Sequence, residues 1–334
     1  MTTVPTTEEL TGECPACGAG YSPGDRFCED CGASLRPADP AVPQCVSCGA
    51  SGLDADGFCR VCGIRSTAGD RCEIDMGVAA AVTDRGKHHA RNEDAMAVRV
   101  LESSGTVVLV ICDGVSSSDR ADEAAGLAAT AAAEHLVGAL RSGRGAEAAI
   151  EAAIAVAADA VADLGDRANP GDHSPACTIV CAVLTADAVT VCSIGDSRAY
   201  WLAAAVADTP AQRLTGDNSV AAGLVALGVD EAVAMSMPDA HTITAWLGAD
   251  ADPLAPVVRT FVPAGPGAVL LCSDGLWNYF PGPDELSAIV LPPTATTPLS
   301  TAHRLADLAL AAGGSDNITV AVAPFPATPR NSRS

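Results

Sequence analysis

Eight cysteines near the N-terminus follow one repeated spacing, which is the strongest constraint on how this chain can fold. Each block reads C-x2-C-x10-C-x2-C, and the second block repeats the first 31 residues later. A C-x2-C turn directs two thiolates at one point, so two such turns supply the four sulfur ligands of a tetrahedral zinc site. The cysteines are Cys14, Cys17, Cys28, Cys31, Cys45, Cys48, Cys59 and Cys62. A disulfide framework and redox-active pairs are the alternatives, and the paired repeat fits both less well.

The cysteine pattern resembles the double zinc ribbon found at the ends of many regulatory proteins, and the likeness spans residues 12–66. We therefore expect two structural Zn²⁺ ions. Few apolar residues lie here, so metal binding would supply most of the folding free energy of this segment. We predict a regulatory or docking module that binds a protein partner. Residues 67–75 are predicted as a linker, 76–324 as a second domain and 325–334 as a disordered tail.

Net charge and hydropathy exclude several classes of partner. The chain has 334 residues and a formal net charge of −22, which opposes unaided binding to nucleic acid or anionic lipid. No run of about 20 apolar residues lacks charges, so no membrane-spanning helix is expected. The N-terminal segment has neither the basic flank nor the apolar core of a secretory signal. We expect a cytoplasmic protein that binds neither nucleic acid nor membrane.

Acidic residues recur at the ends of predicted strands in the second domain. Residues 106–112 form an apolar run that predicts a buried strand, and residues 119–140 and 146–164 have helical patterns. The acids at strand ends are Asp94, Asp113, Asp196, Asp274 and Asp316. One such Asp is an ordinary turn residue, but five would converge if their strands are neighbours. Converging carboxylates need hard cations such as Mg²⁺ or Mn²⁺, and two such ions bind phosphate and activate water.

Seven motifs follow one another in the second domain. They are TDRGKHHARNEDA (83–95), ICDGVSSS (111–118), IGDSRAYWL (194–202), LTGDNSV (214–220), ITAWLGAD (243–250), LLCSDGLWNY (270–279) and GGSDNITVAV (313–322). In this order they resemble the metal-dependent protein phosphatase family, the type 2C Ser/Thr phosphatases, over residues 76–324. The resemblance implies an α+β fold, a four-layer αββα sandwich in which helices flank a central antiparallel β-sandwich. The two small zinc ribbons would precede it.

The resemblance also implies an activity and its cofactors. The family hydrolyses phosphoserine and phosphothreonine in proteins, which are the products of Ser/Thr kinases, through water activated by a dinuclear Mn²⁺ or Mg²⁺ centre. By resemblance, Asp113 is the bridging carboxylate and Gly114 is the glycine whose carbonyl reaches the metal. The other metal positions are Asp94, Asp196, Asp274 and Asp316. Of these, Asp196 and Asp274 match a weaker third metal site.

Three further positions match supporting parts of the family's site. Glu93 lies beside Asp94 and assists it, and Asn317 supports the turn at Asp316. Residues 214–237 fall where the family has a mobile flap that shapes substrate choice.

Two positions depart from the family pattern. His89 stands where the family usually has a phosphate-binding Arg, and Arg91 is the nearby candidate to replace it. Val115 stands where some members have a His proposed as general acid. The residues expected to act in catalysis are therefore Asp113, Asp274, His89 and Arg91. The departures leave two alternatives: a catalytically weak or inactive module that binds a phosphorylated partner, and a scaffold in which the zinc ribbons are the main functional part.

Overall fold

The computed structural model divides the chain into two units, Met1–Gln44 and Cys45–Ser334. It describes residues 12–13, 20–21, 60–61, 64–66, 71–165, 173–203, 209–253, 255–291 and 297–326. In the first unit, strands β1 (Gly12–Glu13) and β2 (Gly20–Tyr21) pair in antiparallel fashion. All eight cysteines of the predicted zinc sites lie outside the described residues.

The described strands of the second unit form two large antiparallel sheets and one short pair. In chain order they are β3 (Ile64–Ser66), β4 (Arg71–Asp75), β5 (Ala80–Asp84), β6 (Asp94–Leu101), β7 (Thr106–Asp113), β8 (Ala176–Cys177), β9 (Ile179–Leu184), β10 (Val189–Ile194), β11 (Arg198–Ala203), β12 (Gln212–Arg213), β13 (Leu247–Gly248), β14 (Arg259–Phe261), β15 (Gly267–Cys272) and β16 (Ile318–Phe325). The five-stranded sheet has the order β14-β10-β9-β7-β6, and the seven-stranded sheet has the order β12-β11-β15-β16-β5-β4-β3. Strand β8 pairs with β13.

Helices connect and cover these sheets. They are α1 (Ala121–Arg141), α2 (Ala146–Leu164), α3 (Val220–Ala226), α4 (Glu231–Met235), α5 (Asp274–Trp277), α6 (Pro283–Val290) and α7 (Pro298–Ala312). Helix α7 begins where the sequence favours it, because Thr297 forms a capping box with Ser300 and Pro298 occupies the first turn. No helix in the described ranges is both long and apolar enough to cross a membrane.

Side chains that alternate between the two faces of each strand pack against different partners, and this produces four layers. In β7, Val108 and Val110 pack against α1 and α2, whereas Leu109 and Ile111 point to the facing sheet. Both faces of this strand are therefore buried, which explains its uninterrupted apolar run. On the other side, α6 and α7 pack on the seven-stranded sheet. The layers are helix, sheet, sheet and helix, so the predicted αββα sandwich is confirmed.

The expected linker and tail differ from the structure. Within residues 67–75, Arg71–Asp75 forms strand β4, which pairs with β5 and also with β3. The linker prediction was wrong there because the polar side chains have partners far along the chain: Arg71 Nε lies 2.7 Å from Asp84 Oδ2. At the other end, β16 continues to Phe325, so the disordered tail does not begin at residue 325. Residues 327–334 lie outside the described residues.

We expect the alanine-lined contact between α2 and the five-stranded sheet to reject larger side chains. Ala157 is 0% exposed in this contact, whereas Ala155 on the same helix is exposed. Replacing Ala157 with Leu overfills a packed interior and should lower the free energy of unfolding by about 1–3 kcal/mol. Ala155→Leu should change it by less than about 0.5 kcal/mol. Urea denaturation of both variants measures the difference, and equal effects would contradict the packing described here.

Candidate functional site

Two carboxylates face each other at the end of the five-stranded sheet. Asp94 begins β6 and Asp113 ends β7, and the antiparallel register places them directly opposite. Like charges in this position repel, so the pair is unfavourable unless protons or cations neutralise it. Burial raises the pKa of Asp94 to about 6. Burial, then the charges of Asp94, Asp274, Asp196 and Asp316, raise the pKa of Asp113 well above its usual value.

One oxygen of Asp94 is fully bonded and the other has no donor. The Ser273 hydroxyl donates to Asp94 Oδ2 at 2.9 Å, and the Thr319 hydroxyl donates to the same atom at 2.7 Å. Asp94 Oδ1 is buried and has no hydrogen-bond partner among the described residues. A buried carboxylate oxygen without a partner is costly. A cation, or water held by a cation, would satisfy this atom.

The seven-stranded sheet contributes further acids to the same place. Asp274 begins α5 directly after β15, and burial, followed by the charges of Asp316, Asp196 and Asp94, raises its pKa well above the usual value. Asn278 Nδ2 donates to Asp274 Oδ2 at 3.1 Å. Asp196 lies in the turn between β10 and β11, and burial raises its pKa to about 6. The structure therefore brings together all five strand-end acids.

Asn317 ties the loop before β6 to the start of β16. Its side-chain oxygen accepts a hydrogen bond from the Glu93 N–H at 2.7 Å. Its amide nitrogen donates to the carbonyls of Arg85 at 2.7 Å and Arg91 at 3.1 Å. The Asn317 N–H donates to Asp316 Oδ1 at 2.7 Å. The backbone N–H of Asn317 thus contacts Asp316, and its side chain holds the loop that carries Glu93.

Two glycines allow the loops of the site to approach closely. A Cβ on Gly114 would lie 2.7 Å from the carbonyl oxygens of both Glu93 and Ala121. Gly86 has a φ of +72°, and a Cβ there would lie 2.1 Å from the carbonyl oxygen of Asp316. Any side chain at either position would push apart the segments that bear the acids.

The two cationic candidates both contact carboxylates. His89 Nε2 lies 3.0 Å from Asp316 Oδ1. Arg91 Nε donates to Glu93 Oε1 at 3.0 Å, and Arg91 Nη1 lies 3.7 Å from Asp122 Oδ1. They share a cleft of about 450 Å³ lined by His89, Ala90, Arg91, Glu93 and Ser116. Both residues therefore lie beside the acids, but His89 contacts Asp316 whereas Arg91 contacts Glu93 and Asp122.

Some contributors were missed from the sequence. Ser273 and Thr319 hold Asp94, although each comes from the other sheet. A threonine inside the otherwise apolar strand β16 was the available signal for Thr319. Asp122 and Asn278 gave no signal, because Asp122 lies in the first turn of α1 and Asn278 directly follows α5, where polar residues are ordinary.

The donor set suits hard cations. The converging side chains offer carboxylate oxygen, which Mg²⁺ and Mn²⁺ prefer. In the part of the chain that the structure describes, no group of three or more His, Cys, Asp or Glu side chains is arranged as a cage that could hold a metal ion. Such a cage is not required, because Mg²⁺ keeps several waters and takes only one or two carboxylates directly. The orphaned Asp94 Oδ1 is consistent with ligation of this kind.

Comparison with known proteins agrees with this geometry. The sequence profile of the family described as Protein phosphatase 2C matches residues 84–308, and that of the double zinc ribbon matches residues 14–63. The serine/threonine protein phosphatase PstP of Mycobacterium tuberculosis is 31% identical over 247 residues, 73% of this chain and 44% of the relative. The chain thus spans less than half the length of the curated relatives it matches.

Two solved structures share the fold of the second unit. The PPM Ser-Thr phosphatase MsPP from Mycobacterium smegmatis, in complex with cacodylate, is 26% identical with a TM-score of 0.58, covering 73% of this chain and 97% of that chain. The catalytic domain of PstP, in complex with two manganese ions, is 25% identical with a TM-score of 0.54, covering 74% and 97%. Both likenesses inferred from sequence motifs, to the phosphatases and to the double zinc ribbon, are confirmed. Because the family profile matches more than half of the chain, including Asp94, Asp113, Asp196 and Asp274, this chain belongs to the protein phosphatase 2C family.

Proposed function

We propose that the chain is a metal-dependent phosphatase that hydrolyses phosphoserine and phosphothreonine in proteins. The observation that carries the proposal is the group of five interacting acids at one end of the sandwich. Their mutual repulsion calls for divalent cations, and their oxygens suit Mn²⁺ or Mg²⁺. The two manganese ions in the PstP catalytic domain support a dinuclear centre here. When bound, such ions polarise a phosphate group and generate a hydroxide nucleophile from water at neutral pH.

The residues of this chain would hold and orient that centre. Asp113, between the other acids, is the proposed bridging ligand, with the Gly114 carbonyl beside it. The remaining proposed ligands are Asp94, Asp196, Asp274 and Asp316, with Asp196 and Asp274 serving a weaker third site. The Ser273 and Thr319 hydroxyls fix Asp94 so that its Oδ1 faces the centre. A ligand held in this way loses little conformational entropy when a cation binds.

Arg91 is the proposed phosphate-orienting residue. Its guanidinium has five N–H donors, and only Nε forms a hydrogen bond of normal length, to Glu93, among the described residues. Nη1, at 3.7 Å from Asp122 Oδ1, and Nη2 therefore remain able to donate to phosphate oxygens. His89 instead contacts Asp316 at 3.0 Å, which supports a proposed role in orienting that carboxylate.

A second candidate function is a module that binds a phosphorylated partner without turnover. The observation that favours it is His89, because a histidine cannot supply the permanent bidentate fork of the family's Arg. Phosphate release separates the two functions, since a binding module would keep affinity for phosphopeptide without turnover.

For the N-terminal cysteines we propose two structural Zn²⁺ sites in a regulatory or docking module. The double zinc ribbon match supports this assignment. We also propose a cytoplasmic location, because zinc-binding cysteine pairs of the kind proposed here are typical of a reducing compartment.

Asp113→Asn should remove the activity. Loss of the bridging carboxylate should reduce phosphate release from a phosphothreonine peptide by at least about 100-fold at saturating Mn²⁺, because the centre loses a charge and a ligand. Asp187→Asn is the matched control: this exposed residue lies in the β9–β10 turn, at the other end of the sheet, and should leave the rate unchanged. Metal-dependent release by wild type establishes turnover, whereas its absence in folded protein favours the binding module.

The same Asp113→Asn variant should be more stable than wild type when Mn²⁺ and Mg²⁺ are absent. The pKa of Asp113 in the folded protein is raised, so its ionised form destabilises the fold increasingly as pH rises above about 4, the value expected in the unfolded chain. Asn removes this penalty. Thermal unfolding should therefore show a higher Tm for the variant at pH 7.5 and a smaller difference at pH 4.5. A lower Tm for the variant at pH 7.5 would contradict the proposed repulsion.

Arg91→Ala should lower kcat/KM for a phosphopeptide by about 10- to 100-fold, the value of one or two charged hydrogen bonds to phosphate. Arg91→Lys should recover only part of this loss, because lysine lacks the planar fork. Arg141→Ala, in the exposed last turn of α1, is the control. Steady-state kinetics measure all three. If His89→Ala instead has the larger effect on KM, the phosphate role belongs to His89.

The zinc proposal predicts two Zn²⁺ ions per purified chain by elemental analysis. The double variant Cys14→Ser/Cys17→Ser should contain one, because one four-thiolate site loses half its ligands. Cys72→Ser, outside the repeat, should still contain two. An unchanged zinc content in the double variant would show that the repeat does not bind zinc.

A further inference from the structure

A second, larger cavity adjoins the acids on the side of α4 and α5. It measures about 700 Å³, and its lining includes Glu231, Met235, Trp277, Asn278, Pro281 and Ser315. Asn278 both lines the cavity and donates to Asp274 Oδ2 at 3.1 Å. Ser315 lines it and precedes Asp316 in the chain. A substrate whose phosphate group lies at the acids can therefore reach this cavity with a neighbouring side chain.

Part of the cavity wall is apolar, and the wall is fixed in place. Met235 from α4 and the exposed Pro281 provide hydrocarbon surface, whereas Trp277 from α5 is only 3% exposed. Tyr279 shares a 2.8 Å hydrogen bond with the Ser315 hydroxyl, and its oxygen also accepts from the Ser315 N–H at 3.0 Å. These contacts hold the wall in one arrangement. Such a surface suits the aliphatic part of a long side chain.

The arginine in the wall offers no free positive charge. Arg198 donates from Nε to Asp217 Oδ1 at 3.0 Å and from Nη2 to Asp217 Oδ2 at 2.6 Å. The guanidinium also lies 3.6 Å above the Trp277 ring. Its side chain is only 5% exposed. A guanidinium paired on both sides in this way cannot attract an anionic side chain into the cavity.

Glu231 supplies the unpaired charge of the cavity. It lies in the first turn of α4 and is exposed. Across the described residues, no Lys, Arg or His forms an ion pair with it within 4.0 Å. The other basic side chain of the cavity besides Arg198 is His241, whose ring stacks on Trp277 with centroids 5.8 Å apart. The cavity therefore combines the hydrocarbon surface of Met235 and Pro281 with one carboxylate. The side chains that match both features are lysine and arginine, which carry a cation at the end of an aliphatic stem.

We propose that this cavity binds a lysine or arginine side chain of the phosphoprotein substrate, with Glu231 as the residue that selects it. The inference rests on the proposed phosphatase function and names its substrate preference: phosphorylated serine or threonine with a basic residue nearby. The stem packs on Met235 and Pro281, and the cation pairs with the Glu231 carboxylate. The net charge of −22 adds a longer-range attraction for such basic segments.

The test uses phosphothreonine peptides in which one Lys is moved through the four positions on each side of the phosphoresidue. Matched peptides carry Gln or Glu at the same position. The full chain is assayed with Mn²⁺ as wild type, Glu231→Gln, Glu231→Lys and Glu134→Gln. Glu134 is a suitable control because it is an exposed acid on α1, which packs on the five-stranded sheet.

Wild type should prefer Lys over Gln by about three- to fivefold in kcat/KM at one position, as an exposed ion pair provides. Glu231→Gln should reduce this Lys-to-Gln ratio of kcat/KM to about one. Glu231→Lys should favour the Glu peptide, and Glu134→Gln should keep the wild-type ratio. Turnover without a Lys preference, or a preference that persists in Glu231→Gln, overturns this inference alone. Absence of turnover with every peptide overturns the proposed phosphatase function, and the inference with it.

Discussion

Repulsion among buried carboxylates is the constraint on which this architecture depends. Asp94 and Asp113 end neighbouring strands of one sheet, while Asp274 and Asp316 adjoin strands of the other. The acids are therefore brought together only when the two sheets pack face to face. The apolar core between the sheets has to hold these charges against their repulsion, and the proposed cations would then stabilise the folded chain by binding only to it.

Hydrogen bonds between the two sheets hold the repelling carboxylates in a defined geometry. Ser273 and Thr319, both from the seven-stranded sheet, fix one oxygen of Asp94. At the start of the loop between β5 and β6, Asp84 accepts hydrogen bonds from the Gly86 N–H at 2.9 Å and from Arg71 Nε at 2.7 Å. Arg71 lies in β4, which follows the cysteine-rich segment in sequence. The Asp84 carboxylate therefore links this strand to the loop that carries His89.

Much of this organisation could be predicted from local sequence. The apolar run of β7 and the Asp-Gly after it identify a buried strand and its end, and the same logic applies to Asp274. What could not be predicted are pairings set by topology: Asp94 meets Ser273 and Thr319, which are 179 and 225 residues away. The linker prediction failed for the same reason, since Arg71 and Glu73 look solvated until Asp84 and His303 are placed beside them.

His89 illustrates how a departure from a family pattern changes with structural context. In sequence it reads as the loss of a phosphate-binding Arg. In the structure its ring contacts Asp316, one of the proposed metal ligands, at 3.0 Å. Carboxylates that bind metal ions are commonly held by hydrogen bonds from neighbouring groups. Arg91, two residues later in the same loop, lines the same cleft. Under the proposed function, Arg91 supplies the cation for phosphate while His89 orients Asp316.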